Sequence, residues 1–146
     1  MMSENLEEAR REIEILLHLD HPFIVKLEDC FKDNDDSVYI ALEYMQHGSL
    51  KQIIENQKRF DQILPTDEIL SMFTIICLGV YHMHCDTEEP LIHRDLKPEN
   101  ILIEKVGTMK ILKITDFGIS KRNNSRESVT IKGSMTYNYA SIEQLE

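Results

Sequence analysis

An octet of residues, His93-Arg94-Asp95-Leu96-Lys97-Pro98-Glu99-Asn100, stands directly before a β-hairpin pattern, and Asp116-Phe117-Gly118 stands directly after it. Ile101-Leu102-Ile103 and Lys110 to Ile114 supply the apolar strands, with the turn at Gly107. A hairpin returns the chain to its starting point. Asn100, entering it, and Asp116, leaving it, are therefore expected at one end of the same small sheet, and a tight loop from Asp95 to Asn100 brings in a second carboxylate. Acids, an amide and a lysine gathered at one place in this order describe a chemical site better than a scatter of polar loop residues.

The rest of the chain supplies a frame of mixed helix and strand, so the fold class is α+β. Residues 4–19 read as a helix, with Ser3 or Asn5 as cap and acids in the first turn. Leu6, Ala9, Ile13, Leu16 and Leu17 form its apolar stripe, with Glu12 on the edge beside Leu16. His21-Pro22 ends it, because a residue before proline avoids the helical region. Ile24 to Phe31 and Val38 to Tyr44 flank a polar turn and predict a second hairpin. Gly48 precedes a short amphipathic helix near 49–58. Pro65-Thr66-Asp67-Glu68 opens another helix, with Thr66 as cap, that runs to about residue 84 and is apolar nearly all round. Such a helix is expected to be buried and central. Beyond Gly118, the polar stretch Lys121 to Lys132 is expected to be a mobile loop. No internal repeat or low-complexity segment is present.

Composition narrows the function. The 146 residues are 42% hydrophobic and 29% charged, in the range of an ordinary globular domain. A net charge of −10 speaks against a nucleic-acid partner, which needs clustered Lys and Arg. Cys30, Cys77 and Cys85 are odd in number and lack Cys-x-x-Cys spacing, which fits a reducing compartment. His82-Met83-His84-Cys85 has ligand-type residues, but no second cluster completes a zinc set. The apolar run Ile69 to Leu78 is shorter than the roughly 20 residues a membrane span needs. A cytoplasmic protein with no membrane partner is the expectation.

The octet and the Asp-Phe-Gly match the catalytic-loop and metal-binding signatures of protein kinases, and the chain resembles that family from residue 4 to about 145. The resemblance implies a partial bilobal kinase-like fold, with residues 1–45 as the remainder of the N-lobe and the hinge, and 46–146 as the start of the C-lobe with the catalytic loop and activation segment. It implies ATP and Mg2+ as cofactors and a protein with a Ser or Thr acceptor as substrate. Asp95 would accept the hydroxyl proton, and Lys97 would steady the transferring phosphoryl group. Asn100 and Asp116 would supply oxygen ligands for the metal. Lys97 two positions after Asp95 resembles the serine/threonine type. Leu42-Glu43-Tyr44-Met45 resembles the hinge, with Leu42 as gatekeeper, Glu43 and Met45 holding adenine through their backbone, and Leu102 forming the floor. Glu12 matches the helix-C glutamate that pairs with the ATP-binding lysine. Leu16, Leu27, His93 and Phe117 match the four apolar positions that stack between lobes. Arg94 beside Asp95 is the pattern of kinases switched on by activation-loop phosphate, with Thr130 at the usual position and Ser125, Ser128 and Ser134 as rivals.

The resemblance also has gaps. No Gly-rich phosphate loop occurs, and no strand lysine precedes helix C. Ile142 stands where the family has proline, and the spacing from Gly133 is longer than expected. A chain of this span is expected to lack the Gly-rich-loop strands and the C-terminal helical base, to leave the helix at 66–84 without covering partners, and to be a weak enzyme by itself. The alternative is a catalytically incompetent kinase-like fragment or pseudokinase acting as a binding module.

Overall fold

The computed structural model describes residues 4–34, 37–107, 109–117, 121–122 and 139. In chain order these form α1 (Glu4–His18), β1 (Leu27–Lys32), β2 (Val38–Leu42), α2 (Leu50–Arg59) and α3 (Thr66–Tyr81), followed by a π-helical turn (His82–Asp86). Next come β3 (Leu91–Ile92), a 3-10 turn (Pro98–Asn100), β4 (Ile101–Val106), β5 (Met109–Ile114) and β6 (Lys121–Arg122). The mixture agrees with a partial kinase-type α+β fold.

Helix α1 forms where its periodicity places it, yet its buried face is Ile15, Leu16 and Leu19, while Leu17 is 66% exposed. The stripe was therefore one position out at its C-terminal end: Leu17 follows Leu16 by about 100° and turns away from the core. The cap candidate Ser3 lies outside the described residues, and Asn5 is inside the helix.

β1 and β2 pair antiparallel from Lys32 with Val38 to Leu27 with Leu42, with a bulge between Leu27 and Asp29. β1 begins at Leu27 rather than Ile24. Phe23 to Val25 instead bond to β5: Val25 N–H donates to Ile114 O (2.9 Å) and Ile114 N–H donates to Phe23 O (2.9 Å). β4 and β5 pair without interruption from Ile101 with Ile114 to Val106 with Met109. Gly107 turns the hairpin at φ +63°, a conformation L-residues avoid.

β6 pairs with β3, Leu91 with Arg122 and Ile92 with Lys121. The first two residues of the stretch expected to be a mobile loop are therefore in a ladder. Their partner lies some thirty residues upstream, so no local pattern announces it.

Helix α3 is less buried than its all-round apolar pattern by itself implies, and it is short of covering partners as expected. Only Met72 and Gly79 are buried within it, and Ile69, Leu70, Phe73, Leu78 and Tyr81 are all exposed. One face packs on β5, with Gly79 under Ile114. A helix apolar on every side needs partners on every side, and the described residues provide them on one. The continuous helical stretch Thr66–Asp86 has 21 residues, enough by length and composition to cross a membrane; the shorter run Ile69 to Leu78 understated it. Thr66 is the first helical residue rather than the cap, which is Pro65.

The core unites Ile15 and Leu16 of α1, Leu19 just past its end, Ile24, Met72, Met83, Leu91, Ile101 and Ile103 of β4, Leu112 and Ile114 of β5, and Phe117. The β4–β5 hairpin thus has one apolar face buried at the centre, and its open end carries the polar strings.

Candidate active site

The hairpin end is organised by backbone bonds that extend its ladder. Thr115 N–H donates to Asn100 O (3.0 Å), which places Asn100 and Asp116 just past the last strand pair, Ile101 with Ile114. The 3-10 turn closes with Asn100 N–H on Lys97 O (2.9 Å) and so folds the loop back upon Asp95. Asn100 is buried, and its Nδ2 donates both to Asp95 O (2.9 Å) and to Asp95 Oδ2 (3.1 Å). Lys97 Nζ forms an ion pair with the same Oδ2 at 2.5 Å. Asp95, Lys97 and Asn100 are therefore one constellation, as the spacing suggested, with the Asp95 carboxylate at its centre.

His93 holds the loop from beneath. It is 4% exposed, and burial pushes its pKa below the ordinary value because the charged form loses water. Nδ1 accepts the Asp95 N–H (3.3 Å), which leaves Nε2 to carry the proton toward Thr115 O (3.0 Å). One neutral imidazole thus ties the catalytic loop to the segment that leads into Asp116. Its ring lies 5.1 Å from the buried Phe117 ring; Leu16 and Phe117 belong to one core cluster, and Leu27 packs against that cluster.

Arg94 and Asp116 both adopt left-handed backbone, φ +70° and +67°. Such strain in non-glycine residues persists where the surroundings fix it, and here it brackets the site. Burial lowers the Arg94 pKa. Its proposed partner Thr130, together with Ser125, Ser128, Ser134 and Gly118, lies outside the described residues.

Glu12 reaches the same region from α1. Desolvation and then the nearby Asp116 carboxylate raise its pKa, while the Phe117 backbone N–H facing it pulls the other way. The glutamate that matches the helix-C position thus faces the Asp116-Phe117 pair.

On the far side of the hairpin lies the segment 43–48. Glu43 N–H donates to Lys26 O (2.9 Å), and Met45 is buried. The Met45 N–H has no partner among the described residues. Leu42 is half-buried against the core, and Leu102 bridges to Ser49. The segment that follows Leu42 thus runs beside β4, the strand that contains Leu102. Sequence reasoning passed over Lys113 and Glu104, which bond this segment from the hairpin. The one available signal was a charged residue on an otherwise apolar strand. It also passed over Lys51, whose Nζ pairs with Glu99 at 2.8 Å and ties α2 to the catalytic loop.

Whether a divalent cation fits can be judged from the donors. Asn100 directs its amide nitrogen at Asp95, which turns its oxygen the other way, and the Asp116 carboxylate is exposed. No group of three His, Cys, Asp or Glu residues able to hold a metal occurs among the described residues. Two hard oxygens suit magnesium, which commonly takes one or two protein ligands and completes its shell with water and phosphate.

The arrangement is thus a buried carboxylate held by a lysine and an asparagine, with two oxygen-bearing side chains at the hairpin mouth and a tethered segment beside them. The protein kinase domain family matches residues 1–146, and the chain belongs to that family. It is similar to the serine/threonine-protein kinase Nek1 of Mus musculus, 36% identical over 86% of this chain and 10% of the relative. It is also similar to an Aurora kinase of Yarrowia lipolytica, 37% identical over 94% of this chain and 34% of the relative. The serine/threonine-protein kinase nekl-2 of Caenorhabditis elegans is 34% identical over 99% of this chain and 40% of its own length. The chain therefore spans well under half of the length of these relatives.

Proposed function

We propose that the protein transfers the γ-phosphoryl group of ATP to serine or threonine hydroxyls of proteins. The observation that carries this reading is the Asp95–Lys97–Asn100 constellation at the mouth of β4–β5, in a chain with relatives, Nek1 and nekl-2, that are named serine/threonine-protein kinases. The residue roles are those the family resemblance implies, and the geometry and charge support them. Asp95, oriented by Asn100 and Lys97, accepts the proton of the attacking hydroxyl as its oxygen bonds to phosphorus and the bond to the β-phosphate oxygen breaks. Lys97 supplies positive charge beside that carboxylate, where the transferring group gathers negative charge. Asn100 and Asp116 hold magnesium, which neutralises phosphate charge when bound. Glu43 and Met45 offer backbone groups to adenine, with Leu42 behind and Leu102 below. Residues 1–45 form the N-lobe side of this arrangement and 46–146 the C-lobe side. Phosphate on Thr130 pairs with Arg94.

The second reading, a binding module without turnover, rests on Glu12, which faces Asp116 rather than a cation. Radiolabelled phosphate transfer from ATP to a serine/threonine peptide, by the full-length protein and by its Asp95→Ala variant, separates the two. Transfer that Asp95→Ala abolishes supports the enzyme; transfer equal in both proteins overturns it.

A further inference from the structure

Segment 43–48 joins β2 to α2 and has no ladder of its own, so its position depends on individual bonds. The β4–β5 hairpin supplies most of them. His47 N–H donates to Ile103 O (3.1 Å), and Ile103 N–H donates to Gly48 O (2.8 Å). Gln46 N–H donates to Glu104 Oε2 (3.0 Å), a bond that lowers the Glu104 pKa. At the other end of the segment the attachment is ionic. Lys113 Nζ bonds both oxygens of Glu43, at 2.5 and 2.7 Å, and Glu43 Oε1 also accepts the Lys26 N–H at 2.7 Å.

Lys113 sits opposite Leu102 in the hairpin, between the buried residues Leu112 and Ile114, three positions before Asp116. Its side chain is 18% exposed and that of Glu43 is 23% exposed. A lysine taken this far out of water, when a rotamer change could return it, is held by its partner. The pair spans 70 residues of sequence and links the segment beside Met45 to the strand that leads into Asp116.

We propose that Lys113 is a positioning residue for the nucleotide: by gripping the Glu43 carboxylate it fixes the backbone from Glu43 to Met45 relative to the Asp116 end of β5. The proposal rests on the reading of Glu43 and Met45 as adenine contacts. Its consequence is that removing the grip weakens nucleotide binding and leaves the reacting groups in place, a loss of binding shared by ground state and transition state.

The test uses the full-length protein with Lys113→Met, Lys113→Arg, Glu43→Gln and the double variant Lys113→Met/Glu43→Gln. Lys113→Met is expected to raise the KM for ATP about tenfold and to lower kcat by no more than about twofold. Arginine, which keeps the charge and binds carboxylates bidentately, is expected to restore most of the KM. The double variant is expected to be no worse than Lys113→Met alone, because both act through one bond. Amide hydrogen exchange at residues 43–47, without nucleotide, is expected to quicken in Lys113→Met and not in Lys113→Arg. A wild-type protein without phosphoryl transfer sinks the proposed function, and the exchange result still decides the clamp. A wild-type protein that turns over, with KM and exchange unaltered by Lys113→Met, sinks the clamp and leaves the function standing.

Discussion

Asp95 receives two side-chain donors on one oxygen and lies 9% exposed, so its environment is set by neighbours rather than by water. Asp95→Ala is expected to lower turnover of the full-length protein by about 10²–10⁴-fold, the usual worth of a placed general base. Glu12 permits a prediction about pH in the 146-residue chain. Its folded-state pKa is raised, so the folded state binds the proton more tightly than the unfolded state does, and ionising Glu12 opposes folding. That penalty is absent below the ordinary value of 4.5 and grows as pH rises through the raised pKa. Glu12→Gln should therefore raise the melting temperature at pH 7 and have little effect at pH 4. Equal shifts at both pH values would show that charge is not the cause.

Helix α3 offers two faces for comparison. A Cβ added at Gly79 would stand 2.9 Å from Ile114 Cδ1 and 3.2 Å from Phe23 O, a backbone atom in the segment that bonds to β5. Alanine gains up to about 1 kcal/mol of helix propensity over glycine, whereas crowding a packed contact costs about 1–3 kcal/mol. Gly79→Ala should be net destabilising in chemical denaturation; a stabilised variant would show that α3 does not seat on β5 this closely. Met72→Ala, on the buried face, should cost about 2–5 kcal/mol. Phe73→Ser, on the face where Phe73 is 63% exposed, should change the stability of this chain by less than about 1 kcal/mol and improve its solubility. Similar losses from both substitutions would mean that the outer face is covered.

Over the whole chain, segment 43–48 is tethered to the β4–β5 hairpin, but the 146 residues contain no Gly-rich phosphate loop. Positioning and charge on the phosphates dominate phosphoryl transfer, so this chain by itself should bind Mg-ATP more weakly than micromolar. Isothermal calorimetry on the 146-residue chain checks this, and a micromolar dissociation constant contradicts it.

The grouping of Asp95, Lys97 and Asn100 was readable in advance because they lie within eight residues, and that of Asn100 with Asp116 because they flank the two ends of one hairpin. Local chemistry fixes such short-range geometry: a turn at Gly107, a 3-10 turn at Pro98, a ladder of period two. Leu42, Glu43, Met45 and Leu102 were legible only through family likeness, since their residue types suit any core or loop. What the tertiary structure alone decided depends on partners distant in the chain. The Lys113–Glu43 pair spans 70 residues, β6 finds its strand at Leu91–Ile92, and Glu12 on α1 comes within electrostatic reach of Asp116. The same holds for α3, whose apolar sequence sets how much surface wants cover, while only the positions of its neighbours decide that Met72 and Gly79 receive it and Phe73 does not. Periodicity assigns a residue to a face; contact with a second element, a non-local event, assigns that face to the core or to the surface.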